Sequence, residues 1–466
     1  MRVAKSVMVA GLLTQGVMGA PNVLFIAVDD LNTEVGFLGD AHAKTPNMDR
    51  LAEQSVVFRR AYCQSPICGP SRNSLLTGRY PHHTGLYSLD PMFRDVEALE
   101  DVVSLPQHFR KNGYWSATVG KIYHSKPDPE SFDTNHGWMG AFGPFPEKTI
   151  HLDSELPVHP YYDWGAFLED EETADYKVAQ SACGFIEKAA KTDQPFFISV
   201  GFFRPHCPMY APQKWFDLHP LEDIVPLPDQ SADLKDIPAY GKKLIRYFGR
   251  QDYNRFLREN NRAASFLQAY RACVSFTDHC IGQVLDALEK SGQADNTIVV
   301  LFGDHGVQNG KKNLWYKRTL WEASTQVPLL IKPAGNSVLQ TVQTPVGLID
   351  IYPTLCELAG LEQPAGLEGT SLAGLMRGEK QVRAPVLSVF GPDNFALRSD
   401  RWRYIRYADG AEELYDHRND PDERTNLALN PENASVLDEF RPQVPKHSEP
   451  FAPGSSGLGS GAFPGK

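Results

Sequence analysis

The chain has no surplus of positive charge. Its 466 residues carry 46 Lys and Arg against 57 Asp and Glu, a formal net charge of −11 at pH 7. That balance argues against nucleic acid as a partner and supplies no basic groove for a long polyanion, while leaving room for a local cationic pocket. No charge run of one sign is extended. The apolar stretch from Val7 to Ala20, broken by Thr14 and Gln15, is too short to cross a bilayer, so no membrane partner is expected. Cysteine is sparse, at seven residues, and shows no close-spaced metal pattern. Cys273 and Cys280 lie seven apart on one face of a predicted helix, as ordinary core residues. Cys63 and Cys207 could pair with others in an oxidising compartment, but sequence assigns no bridge. No internal repeat is found, and 22% charged residues is the composition of a soluble globular protein.

The length predicts one large domain and a smaller one. Arg2 and Lys5 ahead of the Val7–Ala20 stretch look like a signal peptide over residues 1–20, cut near Gly19 or Ala20, so export to a periplasm or to the medium is expected. Four apolar runs each end in polar residues. Val23 to Val28 ends in Asp29-Asp30, and Trp115 to Val119 in Gly-Lys121-Ile-Tyr-His124. Phe196 to Val200 leads into Arg204-Pro-His206, and Thr297 to Phe302 ends in Gly-Asp304-His305. Helical patterns alternate with these runs: one opens with Thr45 as its cap and Pro46 as its first position, and a long one covers about 263–288. The alternation predicts an α/β fold, and in such sheets ligands bind beyond the carboxyl ends of the strands. A catalytic domain over 21–379 is followed by short strands at 386–390, 395–398 and 402–407, with a hairpin turn at Asp409-Gly410. They predict a small C-terminal subdomain over 380–446. Residues 447–466, rich in Gly, Ser and Pro, are expected to form a disordered tail.

Residues 68–79 are the most informative stretch. Cys68, Pro70, Ser71 and Arg72 spell C-x-P-S-R, with Leu76-Thr77-Gly78-Arg79 after it. Pro70 suits the first position of a helix and Gly78 the position past its end. Cys68 is therefore expected just before a short helix whose first amides favour an anion, with Arg72 near enough to steady one. Asp29-Asp30 sets two carboxylates side by side, which is costly in a buried place unless a cation joins them. With Asp304 on another strand end, a divalent metal site is the better reading. Carboxylate oxygen favours a hard ion such as calcium, whereas the His305 nitrogen is softer and suits transition metals.

The C-x-P-S-R pattern resembles the signature of the formylglycine-dependent sulfatases, and the resemblance extends over about residues 21 to 430. It is closest to the iduronate-2-sulfatase-like branch, through Asp29-Asp30, the Cys68 signature, Ser104-Leu105-Pro106-Gln107, Lys121 and His124, His206, and Asp304-His305. The resemblance implies an alkaline-phosphatase-like fold: a large mixed central sheet flanked by helices, with a small antiparallel C-terminal subdomain. It implies that a formylglycine-generating maturase converts Cys68 to formylglycine, whose hydrate attacks the sulfur of a sulfate ester. A second hydroxyl on the same carbon then expels sulfate, which splits the reaction into two easier steps. By resemblance, Asp29, Asp30, Cys68, Asp304 and His305 hold one calcium ion. Arg72 steadies the diol or a sulfate oxygen, and Lys121 and Lys317 bind sulfate. His124 deprotonates the second hydroxyl, and His206 protonates the leaving alcohol or binds sulfate. Gly310-Lys311-Lys312-Asn313 departs from the Gly-Glu-His-Gly common in relatives, which puts substrate contacts in question. His82, His83, Arg204, Trp138 and Trp164 are candidates for the substrate rim. The expected substrate is a sulfated carbohydrate. Two rivals remain at this point: a phosphonate or phosphodiester hydrolase with a transition metal, which the Asp304-His305 pair permits, and a non-catalytic sulfated-glycan binding protein in which Cys68 stays a thiol.

Overall fold

The structure, a computed structural model, describes residues 19–152, 160–248, 251–335, 340–456 and 463. The expected signal peptide falls, but for its last two residues, outside them. No helix among the described residues is long and apolar enough to cross a membrane.

Among the described residues, eight strands make one mixed sheet. They are β1 (Asn22–Val28), β2 (Val56–Phe58), β3 (Trp115–Gly120), β4 (Thr134–Asn135), β5 (Phe196–Phe202), β6 (Thr297–Gly303), β7 (Leu329–Lys332) and β8 (Gln340–Val342). Their order across the sheet is β8-β2-β7-β6-β1-β5-β3-β4. The four apolar runs singled out in the sequence are β6, β1, β5 and β3, adjacent and all parallel. β7 runs antiparallel to β6 and β2, which makes the sheet mixed.

These central strands are apolar on both faces because both faces are covered. Leu24, Ile26 and Val28 of β1 point into one core. That core is closed by α1 (Pro46–Ala52), by α4 (Ala174–Ala189) and by the 28-residue α5 (Ala263–Lys290). Val23, Phe25 and Ala27 point into the other, closed by α2 (Cys68–Thr77), α3 (Leu105–Lys111) and α6 (Ile351–Leu358). Each such side chain, fully buried, contributes about 1.5–3 kcal/mol. The start of α1 is held differently from expectation. Thr45 precedes Pro46 as predicted, but its side chain caps nothing. Asp278 of α5 instead accepts the amides of Asn47 (3.1 Å) and Met48 (2.8 Å). The start of α3 has a full capping box between Ser104 and Gln107.

Beyond the large sheet, β9 (Val386–Val389), β10 (Phe395–Arg398), β11 (Trp402–Arg406) and β12 (Glu412–Asp416) form an antiparallel meander. Its core includes Ile67, Leu320 and Trp321 from the larger unit. The expected tail from residue 447 begins too early. The Glu449 amide donates to the His82 carbonyl (2.8 Å), the Ala452 amide to Gly85 (2.9 Å), and Phe451 and Ala452 are buried. Apolar residues inside a Gly- and Pro-rich stretch, with backbone partners waiting, dock it over residues 447–456.

Two glycines set the loops at the chemical end of the sheet. Gly120 ends β3 with φ 76°, a left-handed conformation that favours glycine. Its neighbour Gly201 lies so close that a Cβ there would strike the backbone of Lys121. The Lys121 amide donates to the Gly201 carbonyl at 2.8 Å across this approach. Gly201→Ala is expected to lower unfolding stability by on the order of 3 kcal/mol or more, because backbone must move rather than a side chain. Gly184→Ala, on the open face of α4 where a Cβ meets nothing within 4 Å, is expected to be neutral or stabilising by up to about 1 kcal/mol. Denaturant melts of the two variants check the contrast.

Candidate active site

The carboxyl ends of β1, β3, β5 and β6 bring their polar residues to one place. The Asp29 amide extends the ladder to the Phe202 carbonyl (3.1 Å), and the Asp304 amide reaches Val28 (3.2 Å). Asp30 then turns sharply, at φ 61°, outside the usual range for a residue with a side chain. Its amide donates to Asp304 Oδ1 at 3.1 Å, and its carbonyl accepts from the Tyr270 hydroxyl of α5 at 2.8 Å. This over-determined turn aims two adjacent carboxylates into one site.

α2 enters the same space. Cys68 is its first residue rather than the one before it. Ile67 is the extended flanking residue (φ −158°, ψ 142°), so Pro70 falls at the third position, while Gly78 ends the helix in the left-handed conformation as expected. All ten residues of α2 are buried. Ser71 Oγ donates to the Asp304 carbonyl at 2.6 Å. Arg72 Nε donates to Asp304 Oδ2 at 2.8 Å, its Nη1 reaches the carbonyls of Lys121 and Ile122, and its Nη2 lies 3.5 Å from Asp29 Oδ1. Arg72 thus ties two carboxylates and the β3 loop to α2. Its Nε and Nη1 are engaged with protein groups, and its Nη2 is buried without a hydrogen-bond partner.

The rest of the cluster closes around Cys68. Its Sγ lies 3.1 Å from Lys317 Nζ and 3.2 Å from His305 Nε2. Lys317 also pairs with Asp30, and Lys121 with Asp29. His305 Nε2 is 3.2 Å from Asp30 Oδ1 and 3.6 Å from Asp304 Oδ1, while its Nδ1 donates to the Gly306 carbonyl at 3.1 Å. Three carboxylates and a thiol therefore face an arginine, two lysines and an imidazole, all almost fully buried.

Electrostatics follow from this packing. Burial, and then the Asp29 charge, would raise the Cys68 thiol, but Lys121, Lys317 and His305 hold it well below its ordinary value. Burial pushes the other cysteine thiols up: Cys183 to about 11, Cys273 and Cys356 to about 12. All seven cysteines are free thiols. A thiol favoured as its anion in a cationic setting is a reactive one. Burial would also raise Asp29, yet Lys121, His206, Arg72 and Lys317 hold it well below the usual carboxylate range. His124 is lowered to about 4, by burial and then by Lys121, and so is a neutral base with its Nδ1 buried and unpartnered. His206 Nδ1 donates to the Cys207 carbonyl at 2.6 Å, which leaves Nε2 as the second nitrogen for chemistry. Its ring packs 4.9 Å from Phe142 and 5.6 Å from Tyr161.

The residues present fit a divalent cation. One donor atom each from Asp29, Asp30, Cys68 and His305 lie within 4.8 Å of one another, and Asp29 Oδ1 is buried without a hydrogen-bond partner. Asp304 stands against this group with its oxygens on Arg72 and the Asp30 amide. Counting Asp304, three of the five groups are carboxylates, which favours a hard ion, whereas the thiol and the imidazole are softer donors. A second acidic group, Glu322, His417 and Glu423, is already neutralised. Glu322 lies 3.1 Å from Arg398 Nε and also pairs with Arg403, whose Nε lies 2.6 Å from Glu423. That cluster is an ion-pair lock between the Lys317 loop and the C-terminal sheet.

Some expected rim residues lie elsewhere. Trp164 is fully buried and donates to Ser265 Oγ at 3.2 Å. His82 is buried beside Phe395 of the C-terminal sheet, and His83 pairs with Glu368 at 2.6 Å. Arg204 braces the wall from behind, through Tyr210 (3.1 Å) and the Phe142 carbonyl (3.0 Å). Trp138 packs on Phe203 at 5.7 Å. In the departing segment, Lys312 is buried in the junction with the C-terminal sheet, and Asn313 accepts from the Gln230 amide at 2.9 Å. The sequence reading missed the aromatic wall made by Phe142, Tyr161, Tyr162 and Tyr316, whose successive rings lie 5.1 to 5.9 Å apart. The Tyr161-Tyr162 pair was its only local signal.

Comparison with known proteins agrees with this geometry. The sulfatase family model matches residues 21–361. A model described as N-sulphoglucosamine sulphohydrolase, C-terminal, matches 310–449. A sulfatase from Formosa agariphila is 41% identical over 91% of this chain and 86% of its own length. Mouse iduronate 2-sulfatase is 30% identical over 74% of this chain and 70% of its own. A solved 2-O GAG sulfatase superposes with a TM-score of 0.73 at 25% identity, covering 91% of each chain.

Arg72 carries a specific expectation. Arg72→Gln strands Asp304 and Asp29 in a dry interior and should cost about 3–5 kcal/mol, as breaking a buried pair does. Arg72→Lys should recover little of it, since a point charge cannot span two carboxylates and two carbonyls. Urea unfolding midpoints of both variants check this.

Proposed function

This chain belongs to the sulfatase family and is a sulfuric ester hydrolase; on that premise we propose that it removes sulfate from a sulfated carbohydrate, using formylglycine made from Cys68 and one calcium ion. The observation that carries the reading is the position of Cys68, which opens a buried helix within 3.2 Å of both Lys317 Nζ and His305 Nε2. Asp29, Asp30, Asp304 and His305 would hold calcium, with the side chain at 68 completing the set. When present, formylglycine would supply the hydroxyl nucleophile, and calcium would offset negative charge on the sulfate oxygens.

The chain's own residues do the rest. Lys121 and Lys317 present ammonium groups to the sulfate oxygens and stabilise the charge that grows there during transfer. Arg72 keeps Asp29 and Asp304 ionised and in place. His124, neutral near pH 7, takes a proton from the side chain at 68. His206, with Nδ1 committed to Cys207, hands a proton from Nε2 to the leaving alcohol. Phe142 and Tyr161 against the His206 ring keep water from that transfer. The aromatic wall supports a carbohydrate, because a sugar ring offers an apolar face to stack on it. So do the names of the relatives, an iduronate 2-sulfatase and a 2-O GAG sulfatase. Export through residues 1–20 is part of this proposal and accords with a glycan found outside cells.

Two experiments test it. On protein co-expressed with a formylglycine-generating maturase, an aldehyde-reactive hydrazide should label residue 68, and Cys68→Ala should lose both label and sulfate-ester turnover while melting like the parent. Turnover retained in Cys68→Ala would refute the mechanism. Calcium at a hundredfold excess over its Kd should add about 2.7 kcal/mol of stability. Chelation should remove that increment along with activity, and Asp30→Ala should be insensitive to both. If manganese or zinc alone stabilises the protein and phosphate esters turn over faster, the phosphoryl-hydrolase reading replaces this one.

A further inference from the structure

We infer that Arg318 is a specificity-determining residue that binds a second anionic group of the substrate, a carboxylate or a further sulfate, beside the sulfate to be cleaved. The inference rests on the sulfatase reading and deepens it. The buried arginines Arg72, Arg398 and Arg403 have clear partners: Arg72 has Asp304 and Asp29, and Arg398 and Arg403 have Glu322. Arg318 is different. Its Nε is buried with no hydrogen-bond partner, as are single nitrogens of Arg72, Arg271, Arg383 and Arg403, but unlike those four it has no carboxylate at ion-pair distance among the described residues. Arg318 itself is half-buried, and its neighbour in the chain is a buried cation, Lys317. A half-buried guanidinium with no carboxylate partner, beside an ammonium, is a site that favours an incoming anion. Arg204 also has one unpartnered nitrogen, but its other two hold backbone carbonyls, so its place is structural.

The backbone supports the same conclusion. Arg318 sits at φ 76°, left-handed for a long side chain. Strain of this kind persists where the surroundings impose it, and it clusters at functional sites. Here the Arg318 amide donates to the Pro66 carbonyl at 3.2 Å, two residues before Cys68. That bond ties the residue to the rim of the nucleophile's own helix.

Placement identifies the ligand. The Tyr316 ring centre lies 5.5 Å from Lys317 Nζ and 5.7 Å from the Arg318 guanidinium carbon. The two cations are thus separated by no more than the sum of those distances, a span covered by one or two linked sugar rings. With the scissile sulfate at Lys317 and Cys68, the sugar lies along Tyr316 and its next substituent reaches Arg318. The planar fork of donors suits a carboxylate or sulfate held by two parallel hydrogen bonds. A substrate with a neutral or cationic alcohol portion would leave this charge unanswered.

The test is calorimetric binding to the full-length chain carrying Cys68→Ala, with calcium present, at about 0.15 M salt so that diffuse charge effects are screened. Three probes are used: a sulfated disaccharide containing a uronate, a disulfated neutral disaccharide, and a monosulfated neutral one. At least one of the two dianionic probes should bind about tenfold or more tightly than the third. Adding Arg318→Gln should abolish that preference, and adding Arg318→Lys should retain part of it. The probe that loses its advantage identifies the second anion. No preference in the starting protein, or a preference that survives Arg318→Gln, overturns the inference. Turnover of 4-nitrophenyl sulfate by the matured chain with Cys68 intact is measured separately. It reports on the sulfatase reading alone, so the two failures are distinct.

Discussion

The structure depends on a buried charge balance. Asp29, Asp30, Asp304 and the Cys68 sulfur are packed against Arg72, Lys121, Lys317 and His305 in almost complete exclusion of water. Any one of these groups alone would be neutralised or expelled, since an isolated ion in a protein interior is very costly. Together they satisfy one another, and the arrangement requires four separate strand ends and one helix start to arrive at the same place. The parallel run of β6, β1, β5 and β3 meets that requirement by putting all four carboxyl ends on one edge. Close backbone approach at Gly120 and Gly201 lets the loops carrying Lys121 and His206 cross there.

The C-terminal sheet serves the same cluster from a distance. Lys317 lies on the segment that follows β6, with β7 as the next strand of the large sheet. The sheet holds that segment on either side of Lys317. Before it, Lys312 bonds the Glu423 carbonyl, with its ammonium 5.0 Å from the Trp321 ring and 5.4 Å from that of Tyr415. After it, Trp321 Nε1 donates to Glu413 at 2.8 Å, and Glu322 enters the Arg398–Arg403 lock. Burial by itself would raise the Glu322 carboxyl, but the two arginines hold it well below the usual range. The small subdomain therefore clamps a loop that brings a cation to Cys68. The family model that covers residues 310–449 takes this loop and the sheet as one unit.

Much of this was legible in the sequence because it is local or periodic. Four apolar runs flanked by helical patterns specified parallel strands buried on both faces. Gly78 ended α2 where a left-handed residue was needed, and Asp409-Gly410 marked the hairpin between β11 and β12. The Cys68 signature, Asp29-Asp30 and Asp304-His305 named the reactive cluster, since residues that are costly to bury singly make sense only together. Short-range detail was less secure. Pro70 fits the first helical position, but the extended Ile67 starts the helix two residues earlier. The tail looked disordered by composition, yet Phe451 found a buried place.

Other features exist only through contacts between residues far apart in the chain. No local pattern shows that Arg72 would spend its donors on Asp304 and on loop carbonyls, or that Asp278 would cap α1 in place of Thr45. Trp164 and His82 looked like rim residues and are packing residues, because a side chain's role follows from which face of the fold it meets. Lys312 and Arg318 lie six residues apart in one basic, aromatic stretch. The fold buries the first against Trp321 and Tyr415 and leaves the second half-buried beside Lys317, with no carboxylate partner among the described residues. Sequence by itself determined the strands, the helices and the kinds of chemical groups available. The tertiary structure alone decided which of those groups are neutralised by a partner and which are held ready, because that depends on distances that no local pattern encodes.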